Sequence, residues 1–510
     1  MKIKKLLISS IIFIIVIVLF VFFYNQNKVS ILNIENSNLD LEKIICLKNL
    51  NIEEIKQINI DVSGENADTL NYNVDIEKIR EFNSDNNILK IPVRYLIAKK
   101  ISNIVINITK NNNKKIQKKL KIKDDIPKDI KKYFPKIEVK QTREIKNRLY
   151  CFVLWLALDR EIPPLIKTKF YPLLLDSKGN IRAFDENLMK LFSNLNKVPK
   201  DFLNFQFDVE RYPIYLKEKN HLILFASDKT RKTITDHIIE INLTDNTIVR
   251  DIDLTKILDV KRLVQLDTRY KNDVNDWLHL NSMVYDKNDN GIIISARHQG
   301  VFKIGEDGKL KWILSPHKYW DKKYQKYLLK AINSKNELLN KNIQEGIENY
   351  EEQGEEFEWC WAQHSVKLTN DNKILVFDNG YKRNFDRTFE DNYSRAVMYE
   401  VDEKNMTVKQ VWQYGKELGL DFASFMGCTV YTYDNTNTIF INSAFVRKKE
   451  NLRNTDGRVK EVDIATKEVL MDFYFTFKNT VKGVYHLWFD EIFDARILSL
   501  EEIEALKNSK

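Results

Sequence analysis

The feature that most restricts the fold is a strand-and-turn pattern that keeps returning after about residue 145. In one copy Gly291 to Ser295 and Val301 to Ile304 precede the turn Glu306–Asp307–Gly308 and then Leu310 to Leu314. In a second, Ile374 to Phe377 and Ala396 to Val401 precede Lys404–Asn405–Met406 and Val408 to Trp412. Leu222 to Ala226 and Ile238 to Leu243 lead through Asn246 to Ile248–Ile252, and Ile439 to Asn442 and Val459 to Val462 lead through Thr466 to Glu468–Phe473. Weaker signals lie near Tyr171 to Arg182. Short β-branched runs closed by polar turns are strands. Their return in sets is the signature of four-stranded blades, so the predicted architecture is a β-propeller of six blades. A β-sandwich would not explain outer strands returning at 248, 310, 408 and 468. Spacing of roughly 60 residues exceeds the usual ~40–45 of a blade, which calls for long loops.

The 510 residues exceed one small core and allow one or two domains plus an anchor. Residues 29–125 read as a small β-sandwich domain, with strands at Ile55 to Val62, Leu89 to Ala98 and Ile101 to Ile108. Residues 126–144, with Pro127 and Pro135 among many charges, read as a linker, and 145–510 as the propeller. Within it, 320–350 has few β-branched residues and many Lys, Glu, Leu and Asn, which predicts a helical insertion before the acidic run Glu351 to Glu358.

Lys2, Lys4 and Lys5 precede an apolar run from Leu6 to Tyr24, 19 residues long and near the ~20 that span a bilayer core. Bulky Val21, Phe22, Phe23 and Tyr24 replace the small residues of a signal-peptidase site, so residues 1–28 read as an uncleaved anchor, with a cleaved signal segment as the alternative and the body exported either way. The basic end is then cytoplasmic and the body extracytoplasmic. The net charge of +9 is the balance of 81 basic and 72 acidic residues. Its densest basic run, Lys114 to Lys123, alternates with Ile and Leu as a solvated strand face does, so nucleic acid is not an expected partner. Cys46, Cys151, Cys360 and Cys428 are widely spaced and show no metal-ligand pattern. They read as buried small hydrophobes, and no metal site is expected.

Chemistry concentrates in three segments where polar residues crowd the ends of apolar strands. They are Asp276–Trp277–Leu278–His279–Leu280–Asn281–Ser282, Ile294–Ser295–Ala296–Arg297–His298–Gln299, and Trp361–Ala362–Gln363–His364–Ser365–Val366 followed by Phe377–Asp378–Asn379–Gly380. Loops at one face of a propeller converge on its channel, so these could meet in space. The segments resemble the bacterial arylsulfate sulfotransferases, whose patterns run D-W-x-H-x-N-S, S-S-R-H-Q-x-x-x-K-I and Q-H-[ST]. The resemblance extends from about Thr235 through Asp251 to Leu258 and Lys311–Trp312–Ile313–Leu314. It continues through Tyr393–Ser394–Arg395 to Val411–Trp412–Gln413–Tyr414–Gly415–Lys416, roughly half the chain in order.

The resemblance implies transfer of a sulfuryl group from an aryl sulfate donor to a phenolic acceptor, with no nucleotide donor and no cofactor. The absence of a Walker-type glycine loop agrees with that. Carried over by position, His364 becomes the nucleophile that forms a sulfohistidine, and His279 and Arg297 hold the sulfuryl oxygens. A neutral imidazole is nucleophilic near pH 7, and a guanidinium suits a group with three charged oxygens. Asn281 is a candidate for orienting the sulfate. His298, next to Arg297, is expected on the opposite face by strand alternation, and Arg395 and Asp378 are expected to link blades. His221, His237, His317 and His486 read as structural. The family's further histidine, aligned near Val209 to Ile214, is missing; Tyr212 or Arg211 stands there, with Tyr212 a candidate substrate-contacting group. Cys360 stands without the second cysteine of the family's disulfide loop. The resemblance also allows a homodimer. Rival readings are a non-catalytic propeller that binds aryl sulfates or a protein, and a hydrolase that passes the group to water.

Overall fold

The computed structural model describes residues 28–37, 41–80, 87–126, 134–142, 148–157, 168–184, 205–208, 213–262, 275–385, 393–424, 426–433, 436–448, 451–477 and 491–499, with Asn83 and Ile503. Among the described residues the protein is all-β, with short helical turns between strands that are antiparallel except where β21 meets β27. Two compact units divide it. The first comprises Met1–Asp129, Leu174–Phe184 and Ser499–Glu504, and the second Ile130–Leu173, Asp185–Leu498 and Ala505–Lys510. The apolar run Leu6 to Tyr24 lies outside the described residues, and no helix among those described is long and apolar enough to cross a membrane.

In the first unit β1 (Ser30–Asn36), β2 (Lys43–Lys48), β3 (Ile55–Gly64), β4 (Leu70–Asn73), helix α1 (Ile76–Arg80), β5 (Ile88–Val93), β6 (Ile101–Lys110) and β7 (Lys115–Lys123) follow in order. They form a three-stranded sheet β1-β2-β5 and a four-stranded sheet β4-β3-β6-β7. The period of two decides the faces. Ile104, Ile106 and Ile108 of β6 are buried with Ile58, Ile60 and Val62 of β3. Lys115, Lys119, Lys121 and Lys123 of the edge strand β7 are exposed, a charged edge that discourages further strand pairing.

The second unit opens with β8 (Lys136–Gln141), inside the stretch expected to be a linker. Ile137 and Val139 alternate with charged residues there, and the strand pairs antiparallel with Met471–Thr476. β9 (Arg148–Ala157) and β10 (Thr168–Leu175) follow, then β11 (Ile181–Phe184), which belongs to the first unit. Next come β12 (Phe205–Asp208), β13 (Ile214–Leu216), β14 (His221–Asp228), β15 (His237–Asn242) and β16 (Thr247–Asp253) in one sheet. The following sheet is β17 (Leu280–Asp286), β18 (Gly291–Ala296), β19 (Gly300–Ile304) and β20 (Leu310–Leu314), paired in that order.

The expected helical insertion at 320–350 is not a helix. It holds a 3-10 turn at Lys322–Tyr327, the two-residue strand β21 (Lys330–Ala331) and the single-turn helix α2 (Lys341–Glu345). Asn333 breaks the run by accepting from the backbone N–H of Lys335 and Glu337, and Asn340 caps α2 while Gly346 ends it at φ 72°. The acidic run after it forms the hairpin β22 (Tyr350–Glu352) and β23 (Glu355–Phe357).

Two more sheets follow. One is β24 (His364–Leu368), β25 (Ile374–Asp378), β26 (Arg395–Asp402) and β27 (Thr407–Tyr414), with β21 beside β27. The other is β28 (Thr429–Tyr433), β29 (Thr438–Lys448), β30 (Asn451–Asp463) and β31 (Val469–Thr476), with β8 beside β31. β32 (Glu491–Ser499) neighbours β9. Apolar layers fill the spaces between successive sheets. Phe225 and Ile238 pack with Ile292, Ile294 and Phe302, Ile293 and Trp312 with Val376 and Val397, and Phe377 and Met398 with Val430 and Ile441. First strands lie side by side, β17 against β24 and β24 against β28. Their starts therefore share one end of the unit.

Candidate active site

Two irregular strand starts carry the central side chains. His279 immediately precedes β17 with φ 49°, a conformation uncommon for a residue with a Cβ. A register shift between Leu280 and Ser282 then leaves Asn281 in a bulge. β24 repeats the device: Ala362 has φ 52°, Ser365 has φ 59°, and the register shifts between His364 and Lys367. Bulges re-aim single side chains at strand ends. Cross-sheet bonds fix the two bulges against each other. Asn281 Nδ2 donates to the Gln363 carbonyl at 2.8 Å, Ser282 Oγ accepts from Val366 N at 2.7 Å, and Gln363 Nε2 donates to the Ala296 carbonyl at 3.0 Å.

His364 is 7% exposed. Its Nδ1 lies 2.7 Å from Asn379 Oδ1 and 3.1 Å from the Ala362 carbonyl. The tautomer follows from these neighbours. Asn379 Nδ2 donates to the Ser424 carbonyl at 2.6 Å, so the amide oxygen must face the imidazole, and a carbonyl can only accept. Nδ1 therefore carries the hydrogen and Nε2 the lone pair. No hydrogen bond to Nε2 is present among the described residues. Burial first, then the charge of Arg297 and of His279, push the ring well below the ordinary histidine value, so it is neutral near pH 7.

The His279 ring stands 6.3 Å from that of His364, centroid to centroid. Its Nδ1 pairs with the Asp276 carboxylate. Arg297 lies in the β18–β19 turn and its backbone N–H donates to the His279 carbonyl at 3.1 Å. Its guanidinium lies 5.7 Å from the Tyr381 ring centre. The expectation that His298 points away is corrected. Its ring is 5.6 Å from that of His279, because residues 297–299 are a turn and the strand period does not apply to them. Burial, then Arg297 and His279, hold His298 at about 3.

Beneath the site lies a buried ionic cluster. Asp378 accepts from the backbone N–H of Trp361 at 2.9 Å and of Gly380 at 3.0 Å, and from Arg395 Nε at 2.9 Å and Arg383 Nη2 at 3.0 Å. Burial alone would raise Glu358, but Arg395 and Arg383 overcome it and hold that carboxyl at about 2. Arg395 and Asp378 were expected to link blades; they are instead register partners within one sheet, on β26 and β25. Together with Glu358 they fix the loop that delivers His364.

Sequence reasoning gave no role to Asn379 or Asp276, although both stand inside the quoted segments, and the signal in each case was a polar residue at a strand end. Tyr212, Arg211 and His486 lie outside the described residues. His221 pairs with Glu240 at 2.7 Å, His237 with Asp251 at 2.8 Å, and His317 Nε2 meets the Leu329 carbonyl at 2.8 Å. All four cysteines are buried. Among the described residues two acidic groups have carboxylates close enough to hold a cation, Asp286–Asp289–Glu403 and Glu351–Glu356–Glu358. A lysine ammonium already bridges each, Lys303 in the first and Lys416 in the second.

The family model described as arylsulfotransferase (ASST) matches residues 190–486, more than half of the chain and all three site segments. The chain belongs to the arylsulfotransferase family. It is similar to the arylsulfate sulfotransferase AssT of Lelliottia amnigena, 36% identical over 273 residues that make up 47% of this chain and 44% of that protein. It is also similar to the arylsulfate sulfotransferase AssT of Escherichia coli O6:H1, 34% identical over 273 residues with the same coverage. The match thus spans less than half the length of these arylsulfotransferases. Among solved structures, the WD40 domain of SCAP from fission yeast aligns over 90% of this chain and 89% of that one at 7% identity, with a TM-score of 0.19.

Proposed function

We propose that the protein is an arylsulfate sulfotransferase that moves a sulfuryl group from an aryl sulfate to a phenol through His364. The lone pair of His364 Nε2 attacks sulfur, an N–S bond forms, and the S–O bond to the aryl group breaks to release a phenoxide. In the second half-reaction the oxygen of an acceptor phenol attacks the same sulfur, the N–S bond breaks with its electron pair returning to Nε2, and the phenolic proton passes to solvent. No nucleotide donor takes part. Arg297 and His279 hold the sulfuryl oxygens, and Asp276 keeps the His279 ring in place. Asn281 orients the sulfate through its bulged position, and Tyr212 contacts substrate where the family's further histidine would stand.

The observation that carries this reading is the locked tautomer: Asn379 and the Ala362 carbonyl leave His364 Nε2 unprotonated in a buried place beside cationic groups. Family membership supplies the substrate class. The side-by-side first strands and the apolar layers between sheets support a six-bladed propeller, and the two sheets of the first unit a β-sandwich. The apolar run at 6–24 supports a membrane anchor with the catalytic unit outside the cytoplasm, and homodimerisation belongs to the same reading by family resemblance.

The test is release of 4-nitrophenol from 4-nitrophenyl sulfate with and without added phenol. The reading expects release that depends on phenol, with phenyl sulfate as product. Release without phenol would indicate hydrolysis, and none in either case would indicate a binding protein.

A further inference from the structure

Arg262 is buried, 2% exposed, and belongs to none of the family segments quoted above. It closes the turn after β16, its N–H donating to the Asp259 carbonyl at 3.2 Å. Its guanidinium has no ion pair among the described residues. It reaches only neutral acceptors, namely Gln299 Oε1 at 3.3 Å, the His298 carbonyl at 3.5 Å, Ser315 Oγ at 3.2 Å and the Pro316 carbonyl at 3.4 Å. The plane lies 4.3 Å from the Trp320 ring. Burial pulls it down to about 9 against the opposing charge of Asp259.

A guanidinium buried without a carboxylate is costly, and an apolar side chain against Trp320 would fill the space without that cost. What the charged group adds is a rigid fork of N–H donors. Two of its contacts grip the β18–β19 turn at His298 and Gln299, directly beside Arg297, while two hold the segment after β20. Gln299 is tied back by Nε2 donating to the Asp259 carbonyl at 3.3 Å. From the other side Gly300, at φ 106°, has no room for a Cβ, which would come within 2.6 Å of the Leu314 carbonyl. The turn that presents Arg297 and His298 is thus clamped between Arg262 and the end of β20.

We infer that Arg262 is the positioning residue that sets the Arg297–His298 turn for sulfuryl transfer. The inference rests on the proposed function only for the consequence of a misplaced Arg297; the clamp itself is read separately. Arg262→Met and Arg262→Lys in the full chain test it, with amide hydrogen exchange followed by mass spectrometry and steady-state kinetics. Arg262→Met is expected to speed exchange in residues 296–300 by about tenfold or more, while peptides from β24 and β25 keep wild-type rates. It lowers kcat by on the order of 10- to 100-fold, as a displaced substrate-holding group does, with KM for phenol unchanged. Arg262→Lys keeps the charge without the fork and is expected to show the same exchange defect; it also serves if the Met variant does not fold. Wild-type exchange at 296–300 in a folded variant overturns the proposal. Failure of wild-type transfer would overturn the proposed function instead, and the exchange result would still decide on Arg262.

Discussion

Two polar clusters meet on the segment from Glu358 to His364 and solve opposite problems, the first buried and the second partly exposed at His279, Arg297 and His298. In the Glu358–Asp378–Arg383–Arg395 cluster each carboxylate meets guanidinium groups, and the surplus acceptors take backbone N–H groups of the loop at 361 and 380. Its charges are mutually compensated, and it holds a shape. In the His364–His279–Arg297–His298 cluster Asp276 is engaged by His279, and the imidazoles of His364 and His298 are driven neutral. Compensated charge makes a rigid support, whereas suppressed charge keeps a ring nitrogen available to attack.

The largest expected effect separates the two. His364→Ala should abolish sulfuryl transfer to phenol, a loss of about 10³-fold or more for a covalent nucleophile, with the melting temperature close to wild type. Next comes the support. Arg395→Met leaves Asp378 and Glu358 short of a partner in the interior and should cost about 3–5 kcal/mol in a denaturant titration. If the compensated cluster were dispensable, that variant would unfold at the wild-type midpoint.

Asn379 joins the two regions, and its substitution sharpens the comparison. Asn379→Asp places a carboxylate on His364 Nδ1, favours the imidazolium, and should move the acid limb of the pH–rate profile upward toward neutrality. Asn379→Ala leaves only the Ala362 carbonyl on Nδ1 and should lower kcat on the order of 10-fold. An unchanged acid limb in the Asp variant would mean that Asn379 does not set the state of His364.

The smallest effect is on stability against pH. His364, His298 and His317 all lie below the ordinary value of 6.5 in the folded chain. The unfolded chain takes up protons there that the folded chain refuses, so stability present above 6.5 is lost as pH falls from 6.5 toward the folded values, about 3 for His298. For His298, held at about 3, the loss between pH 7 and 5.5 should be roughly 1 kcal/mol, read from denaturant midpoints, with His364 and His317 adding in the same direction. A melting temperature that rises over this range would contradict the neutral cluster.

The supporting strands were legible because their residues are locally unambiguous. The runs at 291–295 and 374–377 are short, rich in β-branched residues and bounded by polar turns, and β18 and β25 fall on them. Elements decided by neighbours were less visible. The strand β8 was hidden by flanking charge and Pro135, and the segment 320–350 has helix-forming composition but is broken by the turn at Asn333 and the cap at Asn340. The site showed the same split. His279, Asn281, Arg297 and His364 stand in recognisable segments, while the placing of His298 depends on a turn and the role of Asn379 on a carbonyl at Ser424, far along the chain.

The most direct test is mass analysis of the chain quenched after exposure to 4-nitrophenyl sulfate without acceptor. The account predicts one added SO3, mapped to His364, discharged by phenol and absent from His364→Ala. Transfer to phenol at the wild-type rate with the adduct on another residue, or with His364 replaced, would contradict it.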